Sequence, residues 1–188
     1  MDNPFGVVRA TPADEQAIYD CLVKLHQENG FYPMNHDKVK DAIMRATRGG
    51  TPAAIIGLIK SPKGEIEALI WLILSDAIWY SDYLSWNERL LFVMPEHRRS
   101  THAKRLVQFA KWCSDAMSDS LPKEPGQQTE IPLIIGIHTF KALEAKMRLY
   151  QRQFQQIGAT FMHRLVPPDA YNQRHVEPHK PNGRVEVQ

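Results

Sequence analysis

The passage from Leu90 to Ala103 narrows the fold more than any other part of the chain. Leu90-Leu91-Phe92-Val93 is a short apolar run that suits a strand and stops at Pro95, and from His102 to Met117 apolar residues recur at helical spacing through Leu106, Phe109, Ala110 and Cys113. Between the two, Glu96 to Arg105 carries Arg98, Arg99, Lys104 and Arg105 with His97 and His102, the densest basic stretch in the sequence. A strand that breaks at proline and turns into a helix aims unpaired backbone N–H groups at one point, and the helix dipole adds partial positive charge there. Cations in a first helical turn oppose that dipole, so their presence points to a bound anion such as a pyrophosphate.

The rest of the chain supplies neighbours for this junction. Phe5 to Arg9 reads as a short strand, and Thr11 with Pro12 opens a helix whose apolar positions Ala17, Ile18, Cys21, Leu22 and Leu25 lead to a stop near Asn29-Gly30. A second helix is expected from Asn35 to Thr47, with Val39, Ile43 and Met44 inward. Ala53 to Ile59 and Ile66 to Leu74 should pair as a hairpin through Ser61-Pro62-Lys63-Gly64. Asp76 to Trp86 stays open between an extension of that hairpin and a separate piece. Ser118 to Glu130 has loop composition, Ile131 to Ile137 reads as a strand, and Lys141 to Gln156 as a helix with Leu143, Met147, Tyr150 and Phe154 on one stripe. A last strand is expected over Ala159 to Val166, and the proline-bearing stretch 167–188 as a mobile tail.

Composition sets the outer limits. A chain of 188 residues, 43% hydrophobic and 23% charged, fits one globular domain. Cys21 and Cys113 match no disulfide or metal pattern, His163, His175 and His179 lack metal-site spacing, and no leader or membrane segment is visible, so a cytoplasmic protein without a metal is expected. The most apolar stretch, Ile66 to Trp79, is broken by Ser75 and Asp76 and is too short to span a bilayer. A formal net charge of +2 does not by itself argue for nucleic acid.

The element order, together with Val93-Met94-Pro95-Glu96-His97-Arg98-Arg99-Ser100-Thr101-His102-Ala103, resembles the GNAT (GCN5-related N-acetyltransferase) superfamily, whose signature V-x-P-x-x-R-x-x-G-x-G/A lies at such a junction. The Lys146 to Arg152 helix gives the resemblance a phage-type cast. The resemblance implies an α/β (α+β) domain over residues 1–166, a mixed and mostly antiparallel central sheet flanked by helices on both faces. It implies transfer of acetyl from acetyl-CoA to a primary amine by direct attack, with no metal. It assigns coenzyme binding to Val93, Arg98, Arg99, Ser100, Thr101, His102 and Ala103, where the small Ala103 lets phosphates approach the helix. Thr101 and Arg99 stand where the family usually has glycine, so the cradle must use ordinary backbone geometry or side chains such as the Thr101 hydroxyl.

Lys146-Met147-Arg148-Leu149-Tyr150 is similar to the family's L-Y pair, which makes Tyr150 the candidate acid for the departing thiolate; as a member of an apolar stripe it is equally a core aromatic. Glu88, at the start of the strand that leads to Pro95, and His138, at the end of the fifth strand, are the candidate bases, with Asp82 behind them. The thioester is expected where the Leu91 to Val93 strand end and Ile134 to Ile137 splay apart. Trp71, Trp79, Tyr80, Tyr83 and Trp86 are read as packing residues, a few of them lining an acceptor pocket. Two other readings share the fold: modification of a nucleic-acid base, from the basic helix start and the aromatic cluster, and a binding module without turnover. The expected partners are coenzyme A and an amine acceptor, with the chain a monomer or homodimer.

Overall fold

The structure is a computed structural model that describes residues 3–30, 32–50, 53–137 and 143–156. Its elements are β1 (Val8–Arg9), a 3-10 turn (Pro12–Asp14), α1 (Glu15–Asn29), α2 (His36–Arg48), β2 (Ala54–Lys60), β3 (Ile66–Asp76), β4 (Leu84–Val93), a second 3-10 turn (Pro95–His97), α3 (His102–Ser120), β5 (Leu133–Ile134) and α4 (Leu143–Gln151). The strands form one sheet in the order β1-β2-β3-β4-β5. Its first three pairings are antiparallel and the last, β4 with β5, is parallel. This is the mixed, mostly antiparallel sheet expected.

Local chemistry fixes the ends of these elements. Asn35 caps α2 by accepting from the Lys38 N–H at 2.9 Å, and Gly49 ends it in the left-handed region at φ 78°. Gly64, at φ 86°, turns β2 into β3. The stretch left open by the sequence resolves as a second hairpin, since β3 runs on to Asp76 and β4 already begins at Leu84. Trp79 (90% exposed) and Tyr80 (69%) lie in the turn between them. The first and fifth strands are shorter than expected, two residues each. The expected strand 159–166 and the tail 167–188 lie outside the described residues.

Helices cover both faces of the sheet, so β3 reads as an apolar run that alternates between two cores. Ala68, Ile70 and Leu72 point to the side holding Leu106, Phe109 and Ala110 of α3 and Tyr150 of α4, whereas Leu69 and Trp71 join Ile18 and Leu22 of α1 and Ile43 of α2. Each fully buried leucine or isoleucine among them contributes roughly 1.5–3 kcal/mol. Gly57 on β2 lets α3 approach: a Cβ there would meet the Phe109 ring at 2.6 Å.

In β4 the alternation breaks. Trp86 and Leu91 face the same core although they are five positions apart, an odd offset that a regular strand forbids. The cause is a β-bulge: Leu72 of β3 pairs with Glu88 and Trp71 with Leu90, so Arg89 is the extra residue. The bulge sits where β4 loses its other neighbour, because pairing with β5 covers Trp86–Leu133 and Asn87–Ile134 and goes no further among the described residues.

Candidate active site

Two features meet at the open edge of β4, the loop that follows the strand and the bulge within it. The loop contains no glycine, and its backbone is ordinary: Met94 is at φ −55°, Arg98 at −66° and Thr101 at −86°. A 3-10 turn over Pro95–His97 and a further turn carry the chain into α3. Thr101 is the N-cap residue, and its hydroxyl makes no capping bond. The His102 N–H reaches Ser100 Oγ at 3.2 Å, whereas those of Ala103 and Lys104 have no acceptor among the described residues. With no acidic side chain in its first turn, the start of α3 keeps the donors and positive dipole that suit an anion.

The side chains named from the sequence divide in the structure. Arg99, Ser100 and Thr101 are exposed, and Ala103 packs against the α3 core. Arg98 turns back: it forms an ion pair with Glu28 of α1, donates from Nε to the Val93 carbonyl at 3.4 Å, and lies 5.9 Å from the Phe92 ring centre. His102 is held by Glu67 of β3 at 2.8 Å rather than presented to solvent. Arg105 donates to the carbonyls of Phe5 and Gly6 at 2.7 and 3.0 Å. Two of the four arginine and lysine side chains of the basic stretch, Arg98 and Arg105, are thus bonded to other parts of the fold, although Arg98 stays exposed, as do Arg99 and Lys104.

At the bulge, Glu88 and Tyr150 meet. The Tyr150 hydroxyl donates to Glu88 Oε2 at 2.8 Å, with the phenol ring only 6% exposed and set edge-on to Phe154. Burial raises the Glu88 carboxyl to about 7, against the opposing hydrogen bond from Tyr150 and the charge of Lys146. Burial, then the Glu88 charge and the shared hydrogen bond, push the phenol above the ordinary tyrosine range. Burial also pulls the Lys146 ammonium down, with Glu88 opposing. A carboxyl poised near neutrality beside a phenol that keeps its proton is a pair able to take one proton and give another.

Glu88 is mid-strand rather than at a strand start, because β4 begins four residues before it. His138 lies outside the described residues. Asp82 is exposed in the β3–β4 turn. The aromatic residues form no single cluster: Trp86 is in the α3 core, Trp71 in the opposite one, and Trp79, Tyr80 and Tyr83 are exposed. Lys146 and Arg89 were missed by sequence reasoning. A bulge in the period-two pattern between Trp86 and Leu91 is the signal that could have found Arg89.

A cavity of about 650 Å³ lies between α1, α2 and the β3–β4 face, and Glu88, Arg89 and Lys146 line it. Its body is apolar, formed among others by Leu22, Leu25, Val39, Trp71, Ile73 and Leu90. It has the size and character of a small-molecule site. Among the described residues, no helix is long and apolar enough to cross a membrane.

No protein-family model matches the sequence, and no curated protein matches it. Solved structures do. A glucosamine-6-phosphate N-acetyltransferase from Arabidopsis thaliana is 12% identical, with a TM-score of 0.59 over 84% of this chain and 95% of the other. An aminoglycoside 6'-N-acetyltransferase from Acinetobacter haemolyticus is 13% identical, with a TM-score of 0.57 over 86% and 99%. An integron cassette protein from the mobile metagenome of Cole Harbour Salt Marsh reaches 21% identity and a TM-score of 0.62 over 87% and 92%.

Proposed function

We propose that this chain, which has the fold of the GCN5-related N-acetyltransferases, is an acyl-CoA-dependent N-acetyltransferase that acts on a primary amine. The observation that carries this reading is the Glu88–Tyr150 hydrogen bond at the open edge of β4, between a cavity and an anion-binding helix start. Acetyl-coenzyme A is the second substrate, and the residues present fit it. Among the described residues, the N–H groups of Ala103 and Lys104 are free and, with Arg99 beside them, suit its pyrophosphate, and the edge of β4 past Asn87 has no strand partner, which leaves backbone groups for its extended arm.

Two side chains carry the proton transfers that link the amine to the thiolate. Glu88 takes a proton from the acceptor ammonium, freeing the amine to form the new C–N bond at the thioester carbonyl. As the C–S bond breaks, Tyr150 gives its proton to the thiolate sulfur. The proton still on Glu88 passes along the hydrogen bond to the phenolate, the new amide nitrogen gives its remaining excess proton to water, and both residues return to their starting state. This role asks for a carboxylate near 7 and a phenol that never ionises on its own, the two shifts that burial produces at this site.

A small amine is favoured over a nucleic-acid substrate because Glu28 offsets the charge of Arg98 and backbone carbonyls hold Arg105, which reduces the charge free to meet a phosphate backbone. Release of free thiol from acetyl-coenzyme A in the presence of a mixed panel of primary amines tests the proposal. Turnover that falls in Glu88→Gln and Tyr150→Phe supports it. Absence of turnover with every amine, in a protein that also fails to bind coenzyme A, overturns it.

A further inference from the structure

The cavity holds more information about its occupant than a transferase reading requires. Among the described residues that line it, Glu88 carries the one carboxylate, against the cations of Lys38, Arg45, Arg89 and Lys146. A polycationic acceptor would meet like charges on most of its polar contacts. Arg89 is the most informative of these. As the extra residue of the bulge, it is displaced from the normal alternation of β4, and its guanidinium lies 5.4 Å from the centre of the Trp71 ring. No carboxylate pairs with it among the described residues, whereas Arg45 has Asp41 and Arg98 has Glu28.

Trp71 fixes where that guanidinium lies. Its side chain lines the same cavity, is only 3% exposed, and carries the Arg89 guanidinium over its ring, which holds the cation at the cavity wall. An unpaired guanidinium held on one wall, next to a base, describes a binding site for an anion carried by the amine itself.

We infer that the acceptor is an amino-acid-like amine, whose carboxylate is bound by Arg89 and whose apolar body lies against Leu22, Leu25 and Val39 of α1 and α2. Calling this molecule an acceptor rests on the proposed transferase activity; the carboxylate site does not. The amine then sits beside Glu88, one residue away from Arg89 along the strand.

The test separates the two claims. Binding of N-acetyl-L-phenylalanine, which has the carboxylate and an apolar body, is compared by calorimetry with that of N-acetylphenethylamine, which lacks the carboxylate. The expected result is at least tenfold tighter binding of the acid, with most of that preference lost in Arg89→Gln, an exposed position. Binding of neither compound, equal binding of both, or a preference that survives in Arg89→Gln overturns the carboxylate site. Acetyl transfer is then compared for phenylalanine, phenethylamine and a polyamine. Preference for phenylalanine supports the acceptor class, and preference for either other amine overturns it while leaving the transferase. Arg89-dependent binding with no transfer to any amine keeps the carboxylate site and sinks the transferase reading instead.

Discussion

The Tyr150 hydroxyl donates to Glu88 Oε2 at 2.8 Å, joining α4 to the bulge of β4 across 62 residues of sequence. Each partner sets the protonation of the other: the phenol stabilises the Glu88 carboxylate, and the carboxylate discourages ionisation of the phenol. A buried acid-base pair of this kind leaves marks on both activity and stability.

The first mark is on the pH profile. Glu88 works as a base only when ionised, so kcat/KM should rise with pH along a limb centred near 7. The groups that act on Glu88 are Tyr150 and Lys146 from α4, and Arg89 of its own strand and His26 of α1 line the same cavity. Rate profiles from pH 5 to 9 should show the limb in wild type and in His26→Gln, and lose it in Glu88→Gln. A limb that disappears with His26 instead would move the titration to that residue.

The second mark is on stability, and its sign is opposite to that of a salt-bridged acid. The folded Glu88 carboxyl lies above its unfolded value, so the native state binds the proton more tightly and this contribution is fully present below about 4.5 and lost as pH rises through about 7. At pH 8 the buried charge therefore opposes folding by an amount on the order of 1–3 kcal/mol. Glu88→Gln should raise the melting temperature at pH 8 and gain much less at pH 5, as thermal denaturation at the two pH values would measure. A variant that is less stable than wild type at pH 8 would mean that the carboxylate is better paired than the geometry indicates.

Tyr150→Phe removes one oxygen and keeps the ring against Phe154, so it separates chemistry from packing. Loss of a positioned acid should lower kcat by about 10²-fold or more. Without the donor, the Glu88 charge also loses its hydrogen bond, so the acid limb of the surviving activity should move to higher pH. A tyrosine that served only as core would leave both the rate and the limb where they were.

Much of this arrangement is legible in the sequence, because helices and strands with a clear period announce themselves. The α3 stripe, the Gly64 hairpin and the break at Pro95 follow from spacing and turn chemistry, as do the α1 and α2 stripes apart from Ala17 and Met44, which spacing puts inward and the structure leaves exposed; the Tyr150 and Glu88 positions follow from the resemblance those elements carry. What was hidden is what pairing decides. Asn87-Glu88-Arg89 is polar, so it reads as the start of a strand, whereas its partner β3 draws it into the middle of one and leaves Arg89 as the extra residue. Likewise Arg98 and Arg105 look free in a basic run, but Glu28 and the carbonyls of Phe5 and Gly6, 70, 100 and 99 residues away, engage them. Contacts at that separation leave no local signal.

That engagement changes what the basic loop should do when altered. Arg98 neutralises Glu28 beside the start of α3, so Arg98→Ala removes a cation and also exposes an uncompensated carboxylate to any bound phosphate. Arg99 is exposed, and Arg99→Ala should lose a direct, salt-sensitive contact and nothing else. Together the two changes should weaken coenzyme A binding by more than tenfold, since a hydrogen bond to a charged group contributes about 1.5–3 kcal/mol. Glu28→Gln provides the control, because it should recover part of the affinity lost in Arg98→Ala by removing the orphaned charge. Calorimetry on the four proteins checks this. Unchanged affinity in the double variant would take the loop out of coenzyme binding, and no recovery with Glu28→Gln would mean that Arg98 acts on the phosphates directly.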